Sequence, residues 1–240
     1  MVEIKNHDLK FYLEMVLNKP ISMFTEDDLK QFETLVYEVR VNGEDHSVNM
    51  EDLSIFPNVR KVVISDGLIS QDNITSMKEK EIKEVRFNRC AFDSDDSLSE
   101  LSSIESIELI GSFNDSYDFL KNMDKLTYLA IANPYLDSPV DVSYLSHMNQ
   151  LSDVTLQNCQ LKNIDFLSQC EKVSYLNLLG DVLPKDIVSV FNQMPRLQRL
   201  FVSEGNSLEG LKSSIDVRHS FNDFLFEKEE IDEPTGQIHL

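Results

Sequence analysis

The sequence predicts an α/β solenoid: a curved stack of similar coils, with a parallel β-sheet on its concave side and short helices or 3-10 turns on its convex side. Three observations predict it. An apolar triplet spaced i, i+3, i+5 recurs along most of the chain at a nearly constant interval. An apolar pair precedes most of these triplets by three and six residues. Both ends of the array depart from the pattern and carry apolar residues able to cover the terminal coils, which a stacked array needs.

The triplet is clearest at Leu151, Val154 and Leu156, which lead into Cys159 and Leu161. Ile82, Val85, Phe87, Cys90 and Phe92 repeat that spacing. Counting a faint first copy at Val36, Val39 and Val41, the triplets begin at Val36, Val59, Ile82, Ile104, Leu126, Leu151, Val173 and Leu197, with steps of 23, 23, 22, 22, 25, 22 and 24 residues. A fixed period of about 20–29 residues with the form L-x-x-L-x-L-x-x-N/C-x-L marks a leucine-rich repeat. Eight coils are therefore expected.

The second register lies three residues before the triplets, at Phe56, Leu101, Met123, Met148, Cys170 and Met194, and six before, at Leu53, Leu98, Leu120, Leu145, Leu167 and Phe191. Apolar residues three apart share one face of a helical or 3-10 turn, so these are expected to point inward from the convex side. The coil beginning at Ile82 breaks the register with Glu79 and Ser76. The N/C position reads Glu44, Gly67, Cys90, Ser112, Pro134, Cys159, Asp181 and Gly205, so no continuous asparagine ladder is expected, and Glu44 and Pro134 depart most from the pattern. The three cysteines are an odd number, and all fall in repeat registers. They are expected to be small buried groups without a metal or redox role.

At the N-terminus, Leu9, Tyr12, Leu13, Val16 and Leu17 would share one helical face, and Pro20 interrupts. A second helix is expected from Thr25, its N-cap, with acidic residues in the first turn and Leu29, Phe32 and Leu35 facing inward. The order helix, Lys19-Pro20, short link, Thr25-Glu-Asp-Asp-Leu29 and then repeats of about 22 residues resembles the N-terminal cap of bacterial internalin-like leucine-rich-repeat proteins. The resemblance covers about residues 5–205 and implies a bacterial chain that binds another protein through the concave sheet. The expected organisation is a helical cap over 1–35, repeats over 36–205, and a C-terminal cap with an acidic tail over 206–240. In that last segment Phe221, Phe224 or Phe226 could instead fold back and cover Phe201 and Leu179.

The chain has 240 residues and a net charge of −20, from 42 acidic and 22 basic residues. Phosphate repels such a surface, so nucleic acid and anionic membranes are poor partners, and a protein is the expected one. No apolar run reaches the roughly 18 residues of a membrane span. The charged start lacks the apolar stretch of a signal peptide, so a cytoplasmic, monomeric chain is expected.

Catalytic, metal and cofactor sites are all expected to be absent. The five histidines are scattered, with no H-E-x-x-H and no G-x-S-x-G, and seven glycines leave little room for a phosphate loop. The run from Asp93 to Glu100 lacks the central glycine and frame of a calcium loop and reads as a polar loop. Asn73 and Asn114 begin glycosylation sequons, which matter only after secretion.

Side chains alternate along a strand, so residues flanking the second and third leucine positions face the concave side. Four acids there, Glu38, Glu84, Glu108 and Asp153, balance four bases, Arg40, Lys61, Arg86 and Arg199. Asn42 is also assigned to this face. The first four coils display mostly charge, the last four Tyr128, Tyr175, Leu179 and Phe201 beside Ala130 and Ala132. Aromatic anchors beside small residues and an arginine have the composition of an interface hot spot. The candidate partner-binding residues are Tyr128, Asp153, Tyr175, Leu179, Arg199 and Phe201. The expected function is a non-enzymatic protein-interaction scaffold that binds on the concave face of coils four to seven. The alternatives are an acidic inhibitor or immunity-type protein that neutralises a basic toxin or enzyme, and an accessory subunit of an enzyme complex.

Overall fold

The computed structural model describes residues 3–39, 46–134 and 139–219 and the backbone of 237–239. One parallel sheet organises it. Strands β1 (Thr34–Glu38), β2 (Lys61–Ser65), β3 (Glu84–Asn88), β4 (Ser106–Ile110), β5 (Tyr128–Ala132), β6 (Asp153–Gln157), β7 (Tyr175–Leu178) and β8 (Arg199–Val202) come one from each coil and lie side by side in chain order. Strand β9 (Asp216–Arg218) pairs with β8 and extends that end of the sheet. Strand β10 (Gln237–His239) pairs with β1 at the other end, making ten strands in all.

The repeat spacing sets the register. Val62, Val85, Ile107, Leu129, Val154, Leu176 and Leu200 are laterally aligned at the second position, and all are buried. Ile64, Phe87, Leu109, Ile131 and Leu156 align likewise at the third. Burying each such side chain contributes about 1.5–3 kcal/mol, and alternation sends all of them to the same side of the sheet.

The second register closes the core from the convex side. Leu98 and Leu101, Leu120 and Met123, Leu145 and Met148, and Leu167 and Cys170 are buried on or beside 3-10 segments at Asp95–Leu101, Asp118–Asn122, Val142–His147 and Ile164–Gln169. The coil that broke this register uses an α-helix, Gln71–Glu79, and buries Ile74 and Met77 instead. An α-helix rises less per residue than a 3-10 helix, so it shifts the phase of the inward-facing residues. The Asn73 of the first sequon is buried there, its Nδ2 donating to the Val48 carbonyl at 2.9 Å.

Coils two to seven turn sharply after their strands. Asp66, Arg89, Gly111, Asn133, Asn158 and Gly180 all have positive φ at that point. A side chain at Gly180 would be strained by the positive φ and would displace Asn158, since a Cβ there would sit 1.6 Å from Asn158 Oδ1. The next residue supplies the ladder. Cys90 and Cys159 thiols and the Ser112 hydroxyl are buried and donate to main-chain carbonyls of the preceding coil. Burial pushes the Cys90 and Cys170 thiols up to about 11 and raises that of Cys159 as well. Glu44 lies outside the described residues.

The first coil and its cap differ from expectation. Leu35 pairs with Val62 and Tyr37 with Ile64, so the second and third positions are Leu35 and Tyr37, with Phe32 at the first position; the triplet is not Val36, Val39 and Val41. The helix from Thr25 spans only Glu26–Leu29. The Asp28 carboxylate accepts from the Thr25 amide and hydroxyl at 2.7 Å, and a Lys19 ammonium beside it holds its carboxyl down at about 2. The chain then extends, because Thr34, Val36 and Tyr37 suit a strand. In the first helix, His7–Leu17, Leu9 and Leu13 are buried, but Val16 is exposed, and Phe11 and Met15 more so. The buried Asp52 carboxylate anchors the approach to this helix by accepting from the amides of Lys5 and Asn6.

Candidate binding face

Lateral register groups the concave side chains into rows. The first row runs Thr34, Lys61, Glu84, Ser106, Tyr128, Asp153, Tyr175 and Arg199. The second runs Val36, Val63, Arg86, Glu108, Ala130, Thr155, Asn177 and Phe201. Four of the six candidate residues, Tyr128, Asp153, Tyr175 and Arg199, are therefore consecutive neighbours on adjacent strands. At ~4.8 Å per strand, Tyr128 and Tyr175 stand about 10 Å apart with Asp153 between them.

These four side chains are half-buried. Burial, together with the nearby Glu108 and Asp153 carboxylates, raises the Tyr128 hydroxyl well above its ordinary range, so it stays protonated. Tyr175 and Phe201 pack with ring centroids 5.3 Å apart at a tilt of 41°. That contact joins the first row to the second.

Phe201 and Leu179 differ from the expected exposed anchors. Phe201 is 3% exposed and Leu179 7%. Phe201 packs against the Tyr175 ring, and the Leu179 amide is tied to Asn177 Oδ1 at 3.0 Å. Ala130, Thr155 and Asn177 of the same second row are buried as well. Sequence reasoning offered cover of Phe201 and Leu179 only as the alternative, because strand alternation assigns a side chain to a face and does not report what covers that face. Tyr175-Leu-Asn-Leu-Leu179 carried a faint signal, since one polar residue among four apolar or aromatic ones alternates poorly. The fold-back of Phe221, Phe224 or Phe226 lies outside the described residues, as do Arg40 and Asn42. In the first coil the structure places Thr34, Val36 and Glu38 on this face.

The early coils are ionic. Lys61 pairs with Glu84 at 3.3 Å and Arg86 with Glu108 at 3.2 Å, each across neighbouring strands. Among the described residues, no group of three or more His, Cys, Asp or Glu side chains is placed to hold a metal ion. The polar run near Asp93 has a structural use: Asp95 accepts from Asn114 Nδ2 at 2.8 Å and from the Ser116 amide at 2.9 Å in the next coil. A cleft of about 560 Å³ opens beside Met50, Leu53, Arg60, Ser76 and Lys80, away from the candidate residues. No described helix is long and apolar enough to cross a membrane.

No protein-family model matches the chain, and no curated protein sequence matches it significantly. Solved structures do. The internalin InlF of Listeria monocytogenes superposes with a TM-score of 0.58 at 16% identity, over 90% of this chain and 71% of that one. TLR13, solved in complex with ssRNA13, superposes with a TM-score of 0.56 at 14% identity, over 82% of this chain and 33% of that one. The internalin InlC2 of Listeria monocytogenes aligns over 98% of this chain and 92% of its own at 13% identity, with a TM-score of 0.48. The fold is thus a leucine-rich-repeat solenoid of the kind internalins have.

Proposed function

We propose that this solenoid is a non-enzymatic scaffold that binds a protein on its concave face, chiefly against coils four to seven. One observation carries the reading: Tyr128, Asp153, Tyr175 and Arg199 form a continuous lateral row on a rigid parallel sheet, braced by the closed second row behind them. Tyrosine and arginine in a supported row supply large contact area and directed hydrogen bonds at small conformational cost. Phe201 and Leu179 act from beside the row, by holding Tyr175 and its strand in place. The charge of −20 opposes nucleic acid as the ligand.

The test is affinity capture of the partner, followed by titration with variants of matched stability. Tyr175→Ala is expected to weaken binding about thirtyfold, the equivalent of about 2 kcal/mol. Glu84→Ala is expected to change it by a few-fold at most. If only charge changes weaken binding, and affinity falls steeply with salt, the aromatic row is not the contact and the acidic-inhibitor reading replaces it.

A further inference from the structure

Asp181 departs from a rule that three other coils obey. Just after the strand, one side chain reaches back to the main chain of the preceding coil. Cys90 donates to the Ile64 carbonyl at 3.4 Å, Ser112 to Phe87 at 3.1 Å and Cys159 to Ile131 at 3.4 Å. Every one of these acceptors holds the third position of the preceding strand. Asp181 has the equivalent place in coil seven, and the equivalent carbonyl is that of Leu156.

An ionised carboxylate has no proton to give. Asp181 is 5% exposed, both of its carboxyl oxygens are buried, and of the groups around them only the Cys159 amide favours a charge. An uncompensated buried charge is costly, and an acid relieves that cost by keeping its proton. Burial accordingly pushes the Asp181 carboxyl up to about 7, an effect that the nearby Cys159 amide offsets only in part.

The surroundings supply no counter-charge. From the preceding coil the Cys159 thiol faces Asp181, and burial together with this carboxylate raises it, so it is neutral near physiological pH. From the following coil come neutral groups: Ser203 Oγ accepts from the Gly180 amide at 2.7 Å, and Asn206 Oδ1 from the Leu183 amide at 3.4 Å. The charged residues close in sequence, Lys185 and Asp186, are exposed to solvent, as is Glu204 of the following coil.

We propose that Asp181 is a proton-controlled joint between coils six and seven: neutral, it donates to the Leu156 carbonyl and completes the ladder, and ionised, it leaves a buried charge with only the Cys159 amide against it and loosens the stack. The joint lies just after the strand that carries Tyr175, yet it stands whether or not that strand binds a partner. Its sign follows from linkage. The folded protein holds this proton more tightly than the unfolded chain does. The joint's contribution is therefore complete below the ordinary aspartate range, is lost as pH rises toward neutrality, and changes no further above it.

Denaturant unfolding of wild type and Asp181→Asn at about pH 5 and about pH 8 tests the joint. Asparagine is neutral at both and can donate its amide to the same carbonyl. The variant's midpoint should exceed the wild-type midpoint by more at the higher pH, whereas Ser112→Ala should lower the midpoint equally at both. A gap between Asp181→Asn and wild type that is the same at both pH values overturns the joint. Carbon-13 titration of the Asp181 carboxyl in the folded wild-type protein is an independent reading. A midpoint near neutrality supports the joint, and one in the ordinary carboxylate range overturns it.

Discussion

In coils two to four the middle concave row holds Val63, Arg86 and Glu108, whereas in coils five to eight it holds Ala130, Thr155, Asn177 and Phe201. The early charges sit partly in water and pair across strands; the late side chains are all buried. The two halves share one backbone lattice, since the core-facing leucine positions are interchangeable from coil to coil. The contrast in surface chemistry therefore lies on the other face. A solenoid can vary its concave chemistry freely because that face carries little of the stacking energy. Where the concave row is itself buried, as in the late coils, that freedom is reduced, and the same residues bear on both stability and recognition.

Phe201→Ala breaks this contrast most directly. It removes a buried aromatic ring together with its packing on Tyr175, and is expected to cost about 3–5 kcal/mol of stability, read as a fall in the denaturation midpoint. A loss below about 1 kcal/mol, typical of an exposed site, would mean that the late row is an open surface like the early one. Arg86→Ala sharpens the other side. Its pair with Glu108 is solvent-exposed at the guanidinium, and the change is expected to cost about 1 kcal/mol or less, with the difference shrinking in high salt. A loss as large as that for Phe201→Ala would make the ionic rows structural and erase the distinction.

The core was legible because its signal is repeated. Val85 or Leu129 alone is an ordinary apolar residue, but seven aligned copies fix the strand, its register and its inward face. Where the repetition stops, so does legibility. In the first coil, Val36, Val39 and Val41 mimic the triplet four residues late, and only pairing with β2 selects Leu35 and Tyr37. The first helix is apolar on more than one side, with Phe11 and Met15 as well as Leu9 and Leu13, so its buried face could not be chosen from spacing alone. At the candidate face, alternation correctly put Tyr128, Asp153, Tyr175 and Arg199 together. It failed for Phe201 and Leu179 because a side chain pointing away from the core can still be covered by its neighbours.

The pairing of β10 with β1 bears on the order in which the molecule assembles. Nearly every other ladder contact in the large sheet joins residues about one repeat apart, so coils can add to one another locally and quickly. Leu35 with Ile238 joins the two ends of the chain. Closing so long a loop costs more entropy than closing one coil, and only three residue pairs repay it. That strand should therefore form after the stack exists and open before the stack does. Native-state hydrogen exchange would show amides in Gln237–His239 exchanging through a small local opening while β3 to β7 exchange only with global unfolding. Equal protection at both places would mean that the end-to-end contact belongs to the folding nucleus, so that the two ends of the chain meet before the middle is stacked.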